Sequence, residues 1–245
     1  MTDELDCAFD FMCRGDMAGD SIVRSAVGTT VRSSRLPLRQ DSNYLLVGST
    51  DASATELGDE LARLQLKVLV VRDGSSGDRL APGFSELGWQ THSHVVMVHR
   101  HAAKKAVDTS IVREVDEGTL RTLRRSTILA APWGSEELAE QLLHAKVLIA
   151  ERLETHFLAV LAGGRVAACA DLYVGGAEAQ VEDVQTLEEH RNRGFASALV
   201  LDAVRRAREG GATFVFLVAH QTDWPWKLYE RLGFVTVGRY YKFFS

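Results

Sequence analysis

The chain has 245 residues, 46% of them hydrophobic and 25% charged, and a formal net charge of −5. That composition is ordinary for a folded chain of one large or two small domains. Net acidity argues against a general nucleic-acid or membrane-surface binder, and no apolar run is long enough to span a bilayer.

The first residues are acidic (Asp3, Glu4, Asp6, Asp10) and lack a basic-then-apolar leader, so the cytoplasm is the default location. Cys7, Cys13 and Cys169 are odd in number and fit neither a disulfide framework nor a paired metal site. They read as reduced, structural thiols. A strand is expected at Gly28 to Val31 and a break at Leu36-Pro37; the rest of the first forty residues carries no clear pattern. A helix follows around Thr55 to Leu64, then strands at Val68 to Val71 and His94 to Val98. His92, His94, His99 and His101 are metal-ligand types, and the first two share a strand face. No cysteine or carboxylate cluster accompanies them, so no metal site is expected. The polar stretch from His101 to Asp108 marks a boundary, giving domains 1–108 and 109–245.

Beyond it, Ile111 to Val115 reads as a strand, with helices near Thr119 to Ile128 and Ser135 to His144. Ser135 followed by Glu136 and Glu137 is an N-cap with an acidic first turn. Phe157 to Leu161, Arg165 to Val174 and Ala179 to Thr186 form an antiparallel meander turned by Gly163-Gly164 and Gly175-Gly176. A helix comes next, with Ala196, Leu199, Val200, Ala203, Val204 and Ala207 at intervals of three and four, stopped by Gly210-Gly211. Thr213 to Val218 is a buried strand, and a helix starts at Asp223-Trp224-Pro225, with Asp223 as a sufficient N-cap. Leu232-Gly233-Phe234 ends that helix, and Val235 to Phe244 supplies a last strand or hairpin.

A weak repeat runs through the chain. Glu86-Leu87-Gly88-Trp89 echoes Arg231-Leu232-Gly233-Phe234 at a shift of 145, which also lays Val68 to Val71 on Thr213 to Phe216. Two features fail to repeat. Tyr229 corresponds to Phe84, and nothing before the first helix corresponds to Arg191-Asn192-Arg193-Gly194-Phe195-Ala196. That run joins a strand to a helix through a glycine turn, where exposed N–H groups and the helix dipole favour an anion.

Arg191, Gly194 and Ala196, together with Leu228-Tyr229 and Gly233-Phe234, resemble two signatures of the GNAT superfamily of acyl-CoA-dependent N-acyltransferases. The resemblance covers about residues 109–245, and the first half looks like a degenerate copy. It implies an α/β fold of two GNAT-like domains, each a mixed, mostly antiparallel twisted sheet flanked by helices. The implied activity is transfer of an acetyl group from acetyl-CoA to a primary amine by direct attack in a ternary complex. The acceptor would be a small-molecule or peptide amine, with no nucleic-acid or membrane partner, and a homodimer is a compatible assembly.

By the same resemblance, Arg191, Asn192, Arg193, Gly194, Phe195 and Ala196 would hold the pyrophosphate, and the backbone of Val184, Gln185 and Thr186 the pantetheine arm. Tyr229 would protonate the departing thiolate. For the base, Glu182 comes first, Asp183 is expected on the opposite strand face, and His220 is third. Trp133 and Trp226 are either pocket-lining or core. Without an obvious base, a non-catalytic acyl-CoA sensor or interaction module is the alternative.

Overall fold

A computed structural model describes residues 4–16 and 21–245; Asp3 lies outside them. Contacts divide the chain into two compact units, one of residues 1–96, 219–223 and 236–245, the other of residues 97–218 and 224–235.

The first unit begins with α1 (Glu4–Asp16), the short strands β1 (Ser21–Arg24) and β2 (Thr29–Arg32), and β3 (Tyr44–Val47). It continues through α2 (Ala54–Arg63), β4 (Val68–Val71), α3 (Gly74–Glu86) and the start of β5 (Gln90–His99). β1–β2 and β2–β3 are antiparallel; β3–β4 is parallel, with α2 as its crossover. β4 then pairs antiparallel with β11 (Phe234–Phe244), Tyr241 opposite Val71. All four residues of β4 are buried, as a strand covered on both faces requires. Around it pack Leu45, Leu57, Leu61, Leu80 and Phe84. Phe84 stacks on Phe243 with ring centroids 4.5 Å apart. Both α2 and α3 start on side-chain caps: Ser53 accepts from the Glu56 N–H, and Asp73 from the Ser76 N–H.

The second unit contains β6 (Val112–Val115), α4 (Glu117–Ala130), α5 (Glu136–Ala150), β7 (Glu154–Ala162), β8 (Arg165–Gly175) and β9 (Glu178–Thr186). Then come α6 (Phe195–Glu209), β10 (Phe214–His220) and α7 (Pro225–Arg231). The meander is present: β6–β7, β7–β8 and β8–β9 are antiparallel. β9–β10 is parallel, and α6 crosses between them, packing on β8 and β9. Ser135 caps α5 by accepting from the Leu138 N–H. The cap of α7 differs from expectation. Trp224 occupies that position without a side-chain capping bond and Pro225 starts the helix, so Asp223 lies one residue too early.

At the shift of 145, α2, β4 and β5 fall on α6, β10 and β11, and the end of α3 falls on α7. The two Leu-Gly turns nevertheless differ. Gly88 and Gly233 both have left-handed φ, 78° and 98°, but a Cβ on Gly88 would meet nothing within 4 Å. One on Gly233 would lie 1.9 Å from the His101 carbonyl oxygen. That close approach lets the Arg100 and His101 N–H groups both donate to the Gly233 carbonyl. Gly88→Ala is therefore expected to cost about 1–2 kcal/mol, the left-handed penalty alone. Gly233→Ala should cost roughly 2–5 kcal/mol, because a backbone oxygen must also move. Urea unfolding midpoints measure both, and equal costs would show that the second turn relaxes freely.

Candidate active site

The site is built on β9, which cannot satisfy both of its neighbours along its whole length. Its parallel register with β10 runs from Glu178–Phe214 to Val181–Leu217 and stops there, while β9 continues to Thr186. On the other side its antiparallel register with β8 slips. Asp171 faces Glu182 and Cys169 faces Gln185, so Asp183 and Val184 together oppose Ala170. This is a β-bulge, and Asp183 sits in it at φ 50°. Residues 182–186 are half-buried, unlike the buried Ala179 to Val181 before them. The Gln185 Oε1 and Thr186 Oγ1 atoms are buried and make no hydrogen bond. A strand end with unspent polar groups is suited to an added, strand-like ligand.

The chain then passes a 3-10 turn, Glu188–His190, and Asn192 and Gly194 take left-handed φ of 62° and 80°. α6 starts at Phe195 with Gly194 as N-cap and no side-chain cap, and its first internal bond is from the Ala198 N–H to the Gly194 carbonyl. The Phe195, Ala196 and Ser197 N–H groups precede that bond. A Cβ at Gly194 would meet nothing within 4 Å, so the backbone faces open space. Uncapped amides, the helix dipole and the nearby Arg191 and Arg193 are together suited to an anionic group.

Glu182 accepts a hydrogen bond from Gln180 Nε2. Tyr229 is buried in α7, its ring 6.2 Å from that of Phe234. Trp133, between α4 and α5, is 63% exposed, which excludes core packing for it. Trp226 is half-buried with Lys227 Nζ over its ring.

Asp183 corrects the expectation from strand alternation. Its carboxylate pairs with Lys146 of α5, whose ammonium also holds Asp171 Oδ2 at 3.0 Å. Asp171 is the cross-strand partner of Glu182, and cross-strand partners share a face. The bulge thus cancels the alternation and brings Asp183 to the Glu182 side. Tyr173 completes the group: its hydroxyl accepts from Lys146 and donates to Asp171 Oδ2 at 2.8 Å, while Arg124 of α4 binds Asp171 Oδ1. Burial alone would depress the Lys146 pKa, but the Asp183 charge leads a set of partners that hold it well above the usual lysine value. Burial pushes the Tyr173 hydroxyl well up and the Cys169 thiol up to about 12. Neither is a nucleophile at neutral pH. This network was not foreseen from the sequence; the available signal was Asp171 inside the apolar run of β8.

Comparison with known proteins agrees with this geometry. Residues 120–234 match the Acetyltransferase (GNAT) family. The fold extends beyond that segment. A GCN5-related N-acetyltransferase from Kribbella flavida superposes with TM-score 0.65 at 13% identity, over 100% of this chain and 96% of that one. A functionally unknown conserved protein from Staphylococcus epidermidis gives TM-score 0.68 at 16% identity, over 92% and 93%. A GCN5-related N-acetyltransferase from Sphaerobacter thermophilus gives 0.55 at 16%, over 77% and 65%. At these identities the likeness is one of fold. No curated protein matches the chain. Glu182, Val184 to Thr186, Arg191 to Ala196 and Tyr229 all fall inside the GNAT segment, as do Lys146 and Asp171.

His220 falls in the first compact unit, its ring 4.2 Å from that of His94 and 5.3 Å from that of His92. His94 is buried, stacked on Tyr240, with Nδ1 unbonded. Burial first, then the charge of Lys242, lowers its pKa from 6.5 to about 2. Among the described residues no group of three or more His, Cys, Asp or Glu is arranged to hold a metal ion. Because the folded state keeps His94 neutral, stability is full above pH 6.5 and falls as the unfolded chain takes up its proton below it. The wild type is expected to lose about 2 kcal/mol from this group between pH 7.5 and 5. His94→Gln should remove that part of the loss, read from urea midpoints at the two pH values; an unchanged acid loss would place the titration elsewhere.

Proposed function

We propose that the chain is an acetyl-CoA-dependent N-acetyltransferase acting on a primary amine through a ternary complex. The observation that carries this reading is the parting of β9 from β10 after Val181, directly before an uncapped α6 N-terminus. The backbone of Val184, Gln185 and Thr186 would take the pantetheine arm, and Arg191 to Ala196 the pyrophosphate. Acetyl-CoA supplies an acyl group activated as a thioester. Glu182 would accept a proton from the incoming ammonium, whose nitrogen then bonds the acyl carbon as the carbon–sulfur bond breaks. Tyr229 would give its proton to the leaving sulfur, and the second proton lost from nitrogen as the amide forms would restore the tyrosine hydroxyl. With Asp183 engaged by Lys146, Glu182 is the preferred base of the two.

We further propose that residues 109–245 form the working domain and residues 1–108 a degenerate tandem copy. The N-termini of the corresponding helices support this. In α2, Ser53 and Glu56 form a capping box, with Glu56 Oε2 accepting the Ser53 N–H at 2.7 Å. A carboxylate therefore occupies the anion position there, whereas α6 has none. Phe84, at the position matching Tyr229, has no proton to give.

Calorimetry tests the cosubstrate. Wild type is expected to bind acetyl-CoA with micromolar affinity, about −8 kcal/mol. Gly194→Glu, which places bulk and charge in the open cradle, should abolish that binding. Tyr229→Phe should keep it and slow transfer to primary amines by about 100-fold or more. No binding by folded wild type would sink the proposal. Binding without transfer to any amine in a broad panel would instead favour the acyl-CoA sensor.

A further inference from the structure

We propose that Lys146 is a positioning residue: its ammonium clamps Asp183 into the β9 bulge and so sets where β9 leaves the sheet. Three non-glycine residues have positive φ among the described residues, and two of them, Asp183 and Asn192, border the β9–α6 segment. An aspartate at φ 50° occupies a conformation in which glycine is at ease and other residues are held by their surroundings. Here the hold is visible. Lys146 Nζ is anchored on β8 twice, at 3.0 Å from Asp171 Oδ2 and 3.0 Å from the Tyr173 hydroxyl, and its third partner is the Asp183 carboxylate on β9. Arg124 binds the other oxygen of Asp171 and fixes the orientation of that anchor.

The ammonium therefore spans β8 to β9 at the step where the backbone ladder slips. Regular pairing is Asp171–Glu182 on one side of it and Cys169–Gln185 on the other. A side-chain bridge stands in for the interstrand contact that the bulge removes. The direction in which Val184, Gln185 and Thr186 present their backbone depends on that bridge. The consequence for acetyl-CoA rests on the reading above; the clamp itself does not.

The test uses the full chain and two readouts: hydrogen exchange at residues 182–186, and acetyl-CoA affinity. Lys146→Met keeps most of the length of the side chain and removes the charge. Exchange at those amides is expected to quicken about tenfold, with acetyl-CoA affinity falling about tenfold. Asp183→Gly should leave both near wild type, since glycine takes φ 50° unaided. The double variant Lys146→Met/Asp183→Gly should recover both readouts to within about threefold. That rescue separates positioning from general support of the fold. A double variant as impaired as Lys146→Met overturns the proposal, as does a folded Lys146→Met with wild-type exchange and affinity. If Lys146→Met does not fold, Asp183→Ala and Asp183→Gly decide: the alanine variant should be impaired and the glycine variant not, and equal behaviour overturns the clamp. If wild type fails to bind acetyl-CoA, the proposed function falls while exchange still judges the clamp.

Discussion

The candidate site depends on the double duty placed on β9. Its first half is an ordinary buried strand, paired antiparallel with β8 and parallel with β10. Its second half must leave β10, because α6 has to start beyond its end and cross to return as β10. In a parallel pair joined by a helix, the helix N-terminus lies past the carboxyl end of the first strand, and a crevice opens there. The bulge at Asp183 turns a gradual divergence into a local step. The end of β9, no longer laddered to β10, thus lies shortly before the uncapped first turn of α6.

That step is maintained at a cost. Arg124, Lys146, Asp171 and Asp183 place four charges in or near the core, and Asp171 and Arg124 are almost fully shielded from water. Desolvating such groups offsets much of their attraction, so an apolar cluster of the same volume would often be at least as stable. What apolar side chains lack is direction. A carboxylate held by two cations and a hydroxyl fixes the relative placement of α4, α5, β8 and β9 in a way that leucine packing does not. Arg124 adds a contact of its own, its guanidinium 5.1 Å from the Phe157 ring centroid.

The sequence is legible where periodicity and glycine punctuation are strong. The meander, the α6 stripe ending at Gly210, the β4 and β10 runs and the Ser135 cap all appear close to their expected places. α1, β1 and β3 were not foreseen: the two strands are only four residues long, too short for alternation to show. Asp223 was misplaced because Pro225 can start a helix and thereby shifts the cap to Trp224. The glycine turn that opens α6 was visible because its cause, a glycine between a strand and an apolar stripe, is local. The charged network was not, because its members come from α4, α5, β8 and β9, and only the fold brings Arg124 within reach of Asp171, 47 residues away.

Two corresponding helix N-termini, those of α2 and α6, are finished differently. α2 and α6 each follow a strand and cross to a parallel neighbour, so their first turns carry the same orphan N–H groups and the same dipole. α2 answers with Ser53 and Glu56: the Ser53 hydroxyl accepts from the Glu56 N–H, and the Glu56 carboxylate sets a negative charge at that end. α6 answers with Gly194, which has no side chain to offer and a left-handed φ that turns the preceding backbone aside. A cap of the first kind typically contributes about 1 kcal/mol to the helix. With glycine at the N-cap, α6 forgoes only about a few tenths of a kcal/mol and keeps its first-turn donors open to solvent or to an anion.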